Sequence, residues 1–85
     1  MSTATMLIHC PDEKGIILSV TNYISSNNGN IVDLDQHVDS EQKIFFMRVE
    51  WTLSDFNIPR ENIGVHFGSE VAQKYQMQYT IHFRD

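Results

Sequence analysis

The apolar residues of this chain recur at every second position, then at every third or fourth, then at every second again. That change of period constrains the fold more than any other feature. Met6, Ile8 and Cys10 alternate with Thr5, Leu7 and His9, which predicts a strand over Thr3 to Cys10 ending at Pro11. From Ile16 the spacing lengthens. Ile16, Ile17, Val20, Tyr23 and Ile24 form one stripe of an amphipathic helix, expected to stop near Asn28-Gly29 with Gly29 left-handed. Alternation then resumes. It sets Val32, Leu34 and Val38 on one side of a second strand and Asp33, Asp35 and His37 on the other. Asp39 to Gln42 supply hairpin-turn chemistry, and Lys43 to Trp51 read as a third strand with Phe45, Met47, Val49 and Trp51 facing a core. Pro59 suits the first turn of a second helix carrying Ile63, Phe67 and Val71, which Gly64 and Gly68 weaken by about 1 kcal/mol each. Gln76 to Phe83 alternates once more.

The order β-α-β-β-α-β within 85 residues predicts an α+β, ferredoxin-like sandwich: an antiparallel sheet with two helices on one face. The chain is expected to be a single domain over 1–85. No element is left to cover the other sheet face, whose residues include Leu7, His9, Asp33, Asp35, His37, Phe46, Arg48 and Glu50. Phe46 is a large apolar group among polar neighbours, and the outer strands offer unpaired backbone groups. Both features call for a partner. A homodimer is expected, with Phe46, Arg48, Asp35 and His37 at the interface.

Six Lys and Arg against eleven Asp and Glu give a net charge of −5, which disfavours a phosphate backbone or an anionic membrane as partner. Neither a nucleic-acid nor a membrane partner is expected. The single cysteine, Cys10, cannot close an internal disulfide, and the N-terminus lacks the basic and apolar regions of a secretory signal. A cytoplasmic location is the expectation.

Chemistry concentrates in the run Cys10-Pro11-Asp12-Glu13-Lys14-Gly15 that leads into the first helix. Free N–H groups around Gly15, Ile16 and Ile17 could accept a carboxylate, Asp12 could accept an ammonium, and Asn30 offers both donor and acceptor. Asp12, Gly15, Ile16, Asn30 and Ile31 are therefore the candidate ligand-binding residues, suited to the head group of a free amino acid. Spacing alone favours a plainer alternative, in which Asp12 caps the helix and Gly15 turns the chain.

The Cys10 to Ile16 run, followed by Gly29-Asn30-Ile31-Val32, resembles the ACT domain, a small-molecule-sensing module of the same element order. More narrowly, Gly29 to Asp33 with Asp35-Gln36-His37, followed by Phe45 to Trp51, is similar to the N-terminal ACT domain of the formyltetrahydrofolate deformylases. The resemblance implies a regulatory, dimerising module of an enzyme that hydrolyses 10-formyltetrahydrofolate to formate and tetrahydrofolate. It also implies a catalytic domain beyond Asp85 as a partner within the full-length parent, and methionine or glycine as effector. A stand-alone ACT-type binding protein is the alternative.

No catalytic residue carries over, because the family's Asn/His/Asp constellation belongs to the other domain. Catalysis by these residues alone is not expected. His9, His37 and His82 fall on the open sheet face and His66 on the second helix, without the spacing of a metal site, so neither a metal nor another cofactor is expected. Cys10 follows His9 on a strand and so points to the opposite side, into the core. Between Asp33 or Asp35 and Arg48, a cross-strand ion pair is the expectation rather than an acid–base pair.

Overall fold

The computed structural model describes residues 1–85. In chain order it consists of strand β1 (Thr3–Pro11), helix α1 (Ile16–Ser26), strands β2 (Ile31–Asp39) and β3 (Ile44–Thr52), a second helical segment, and strand β4 (Gln78–Arg84). The second helical segment is irregular. A 3-10 turn (Arg60–Asn62) leads into helix α2 (Ile63–Phe67), a π-helical stretch (Gly68–Ala72) and a last helical turn, α3 (Gln73–Tyr75). The strands form one sheet in the order β2-β3-β1-β4, every neighbouring pair antiparallel. This is the ferredoxin-like arrangement that the periodicity predicts.

The core lies between the helices and one sheet face. Met6, Ile8 and Cys10 of β1 and Phe45, Met47, Val49 and Trp51 of β3 pack against Ile16, Val20, Tyr23 and Ile24 of α1 and against Ile63, Phe67 and Val71. All are buried. Side chains at the two periods of the sequence thus meet in a single layer.

Four details depart from the sequence pattern. Asn28, not Gly29, takes the left-handed conformation after α1, at φ 68°. Gly29 is needed for room: a Cβ there would stand 2.7 Å from Ile24 Cγ2 and 3.0 Å from the Ile24 carbonyl oxygen. In β2, Ile31 faces Trp51 and Asp33 faces Glu50, so Val32 is the extra residue of a bulge. The bulge resets the alternation, so Ile31 rather than Val32 packs against the core. Gln76 ends the helical segment in the left-handed conformation at φ 57° and lies outside β4. Finally, the glycines that weaken the second helix serve Tyr79. Its hydroxyl donates to the Gly64 carbonyl at 2.7 Å, and a Cβ on Gly68 would lie 2.6 Å from the Tyr79 hydroxyl oxygen.

The helices cover β3, β1 and β4 but leave β2 bare. Leu34 and Val38, on the helix side of β2, are 37% and 42% exposed, and every residue from Val32 to Val38 is exposed. No helix of the chain is long and apolar enough to cross a membrane.

Candidate functional site

The β1–α1 loop is shaped by two backbone features. The Asp12 N–H donates to the Lys43 carbonyl at 2.9 Å, which ties the loop to the β2–β3 hairpin. Gly15, at φ 87°, turns the chain into α1, and the first helical bond runs from the Ser19 N–H to the Gly15 carbonyl at 2.9 Å. A left-handed residue is cheap only for glycine here. No side chain caps this helix end. The Asp12 carboxylate makes no hydrogen bond or ion pair within the chain, so the capping alternative does not hold, while Gly15 does turn the chain. Asp12, Gly15 and Ile16 therefore cluster around an uncapped helix N-terminus.

Asn30 and Ile31 lie elsewhere. The Asn30 carbonyl accepts from the Thr52 N–H at 2.9 Å, and Ile31 sits opposite Trp51. The register of β1 on β3 runs from Thr3 opposite Thr52 to Pro11 opposite Ile44. Asp12 is thus at the Ile44 end of β3 and Asn30 at its Thr52 end, and nine residues of strand span about 27 Å. Within one chain the two halves of the expected ligand site do not meet.

The open sheet face is the other candidate surface. Its centre is a shallow depression of 620 Å³ whose lining includes Leu7, His9, His37, Phe46, Gln78 and Thr80. Phe46 is 40% exposed, with the imidazoles of His9 and His37 on either side at 6.1 and 5.3 Å between ring centres. Arg48 pairs with Asp33 and lies 3.9 Å from Glu50, which is the cross-strand ion pair expected, made diagonally. Asp35 lies opposite Arg48 in register yet has no cation partner; its Oδ1 accepts only the Gln36 N–H, at 3.0 Å.

The remaining titratable groups are internal. Burial pushes the Cys10 thiol up, helped by the negative charges of Asp12 and Glu13, so it is a poor nucleophile. Tyr23 is pushed up to about 12, first by burial and then by the charge of Glu70 and by Tyr79, and its hydroxyl lies 2.7 Å from His66 Nδ1. No three His, Cys, Asp or Glu side chains converge as metal ligands.

An ACT domain family profile matches residues 4–63. The chain belongs to the ACT domain family. Over 98% of its length this ACT domain is 40% identical to the formyltetrahydrofolate deformylase of Synechocystis, of which it spans 29%. It is 29% identical over 89% of its length to the Bacillus subtilis formyltetrahydrofolate deformylase, of which it spans 25%. Among solved structures, a formyltetrahydrofolate deformylase from Pseudomonas syringae superposes with a TM-score of 0.90 at 30% identity, covering 98% of this chain and 28% of that one. An ACT domain protein from Streptococcus pneumoniae shares the fold, with a TM-score of 0.80 at 22% identity over 96% of this chain and 89% of its own. The ACT domain thus spans less than a third of the deformylases it matches.

The bare helix side of β2 is the surface that sequence patterning misses. Leu34 and Val38 read as core by alternation, and the one signal against it is Gln36 between them on the same side.

Proposed function

We propose that this ACT domain is the regulatory module of a formyltetrahydrofolate deformylase, acting in the cytosol as a homodimer that binds a free amino acid. Its similarity to deformylases over almost its whole length supports the parent activity, hydrolysis of 10-formyltetrahydrofolate to formate and tetrahydrofolate. Supporting the dimer is β2, an edge strand of nine residues exposed on both sides. Such an edge presents unpaired N–H and C=O groups and invites a second strand.

The observation that carries the reading is the separation of the two half-sites. Two β2 strands paired antiparallel about a two-fold axis bring the start of one beside the end of the other. Asn30 and Ile31 of one protomer then come to the end of the joined sheet that carries Asp12, Gly15 and Ile16 of its partner. A zwitterion placed there has its carboxylate at the uncapped α1 N-terminus and its ammonium at Asp12. The ligand acts on the enzyme only by preferring one subunit arrangement over another. Edge pairing of this kind engages Asp35 and His37 along β2 and brings Arg48 and Phe46, one strand inward, to its flank.

The test is sedimentation equilibrium together with calorimetric titration of the dimer with a panel of amino acids that includes methionine and glycine. A dimer that takes up one of them, with Asp12→Ala weakening it about tenfold, supports the reading. A monomer, or a dimer indifferent to every amino acid, contradicts it. A stand-alone binding protein is the second reading, favoured by the solved ACT domain protein whose own chain the fold covers to 89%.

A further inference from the structure

The depression on the open sheet face shares no residue with the proposed amino-acid site. Its volume of 620 Å³ falls in the range of small-molecule sites, about 300–1,000 Å³. Its floor is a row of three rings across β1, β3 and β2, with His9 and Phe46 as direct cross-strand partners on the two central strands. Central-strand aromatics on an open sheet of this topology are the usual platform for stacking bases. The imidazoles are tilted from Phe46 by 32° and 51°, so the three rings form a shallow cup rather than a stack on one another.

Charge narrows the ligand. Arg48 is the one cation among the residues of the depression, and Asp33 and Glu50 already engage it. Asp35 is left as a carboxylate without a cation, with Oδ2 free of any partner in the chain. It is diagonal to Phe46 across the β2–β3 pair, about 7–8 Å away, or roughly one bicyclic ring along the sheet. A phosphate would meet the Asp35 carboxylate here, beside an Arg48 whose charge Asp33 and Glu50 already offset. An uncharged base with an N–H edge would meet an acceptor in the place its amino group reaches.

From these features we infer that the open face binds a purine nucleoside, the base stacked on Phe46 between His9 and His37 and its exocyclic amino group donating to Asp35. The inference does not rest on the amino-acid site, since Asp12 takes no part. Asp35 and His37 lie on β2 but contribute side chains of the open face, leaving the outer backbone groups of that strand for edge pairing.

The experiment is an NMR titration of isotopically labelled protein with adenosine at millimolar concentration. Saturable shifts are expected at Phe46, His9 and His37. Phe46→Leu keeps an apolar side chain but removes the ring, and is expected to weaken binding at least tenfold, or about 1.4 kcal/mol. N6,N6-dimethyladenosine has no exocyclic N–H. It is expected to bind the parent severalfold more weakly than adenosine does, and to bind Asp35→Ala as well as it binds the parent. Adenosine monophosphate is expected to bind more weakly than adenosine. Phe46 and Asp35 are both exposed, so equal thermal midpoints of parent and variants establish that the fold is kept. No saturation with adenosine, unchanged affinity in Phe46→Leu, or tighter binding of the monophosphate would each overturn the inference.

Discussion

Tyr79 shows how a single side chain decides what its neighbours can be. Its ring packs edge-on to Phe67 with 5.1 Å between centres, and its hydroxyl reaches the Gly64 carbonyl. Helix propensity alone makes Gly68→Ala stabilising by about 1 kcal/mol. The new methyl would instead collide with the Tyr79 hydroxyl, and its displacement costs the hydrogen bond, about 1 kcal/mol or more. Gly68→Ala is therefore expected to lower the thermal midpoint in the parent and to be neutral or stabilising in a Tyr79→Phe background. Equal effects in both backgrounds would show that the hydroxyl does not set the glycine. Tyr23 carries a second residue-level expectation. Its folded pKa, raised to about 12, exceeds the ordinary tyrosine value of about 10, so between these the unfolded chain has lost a proton that the folded chain keeps. The stability tied to the neutral hydroxyl is complete below about pH 10 and is lost as pH rises through about 12. Denaturant melts over that window are expected to fall more steeply with pH for the parent than for Tyr23→Phe.

Among the elements, β2 differs most from what its pattern promises. Alternation read from residue types cannot see which strands the helices reach, so Leu34 and Val38 pass for core residues although no helix lies over them. Nor does alternation foresee the bulge at Val32, which depends on how β2 is paired with β3. By contrast, β1, α1 and β3 are legible residue by residue, because each is buried on one side only and burial enforces the period. The second helical segment is legible in Ile63, Phe67 and Val71, while nothing in their spacing marks the π-helical stretch that begins at Gly68, the glycine beneath the Tyr79 hydroxyl. The candidate site divides the same way. The loop residues could be named from spacing, but their distance from Asn30 is set by strand order. If β2 is the dimer edge, Val38→Lys puts a charge on its apolar helix side and is expected to shift sedimentation toward monomer with the thermal midpoint little changed. A dimer as tight as the parent's would place the interface elsewhere.

At the scale of the whole molecule, an antiparallel sheet with helices on one side leaves the open face and both edges, β2 and β4, without a partner, and at β2 the helix side is bare as well. A chain of 85 residues buries only about 60–65% of its unfolded surface, so covering an edge by dimerisation adds burial it otherwise lacks. On this account one event, edge pairing, both stabilises the domain and completes its ligand site. Sensing and assembly are then the same equilibrium, and ligand tightens the dimer as the dimer tightens ligand. The direct test is complementation between two defective proteins. Asp12→Ala and Asn30→Ala are each expected to bind the effector about tenfold or more weakly than the parent. When equal amounts are mixed and allowed to exchange subunits, each heterodimer holds one site with both native residues, so about one site in four regains parental affinity in a calorimetric titration. Recovery of that fraction is the predicted result; a mixture that binds no better than either protein alone would contradict a site shared between two chains.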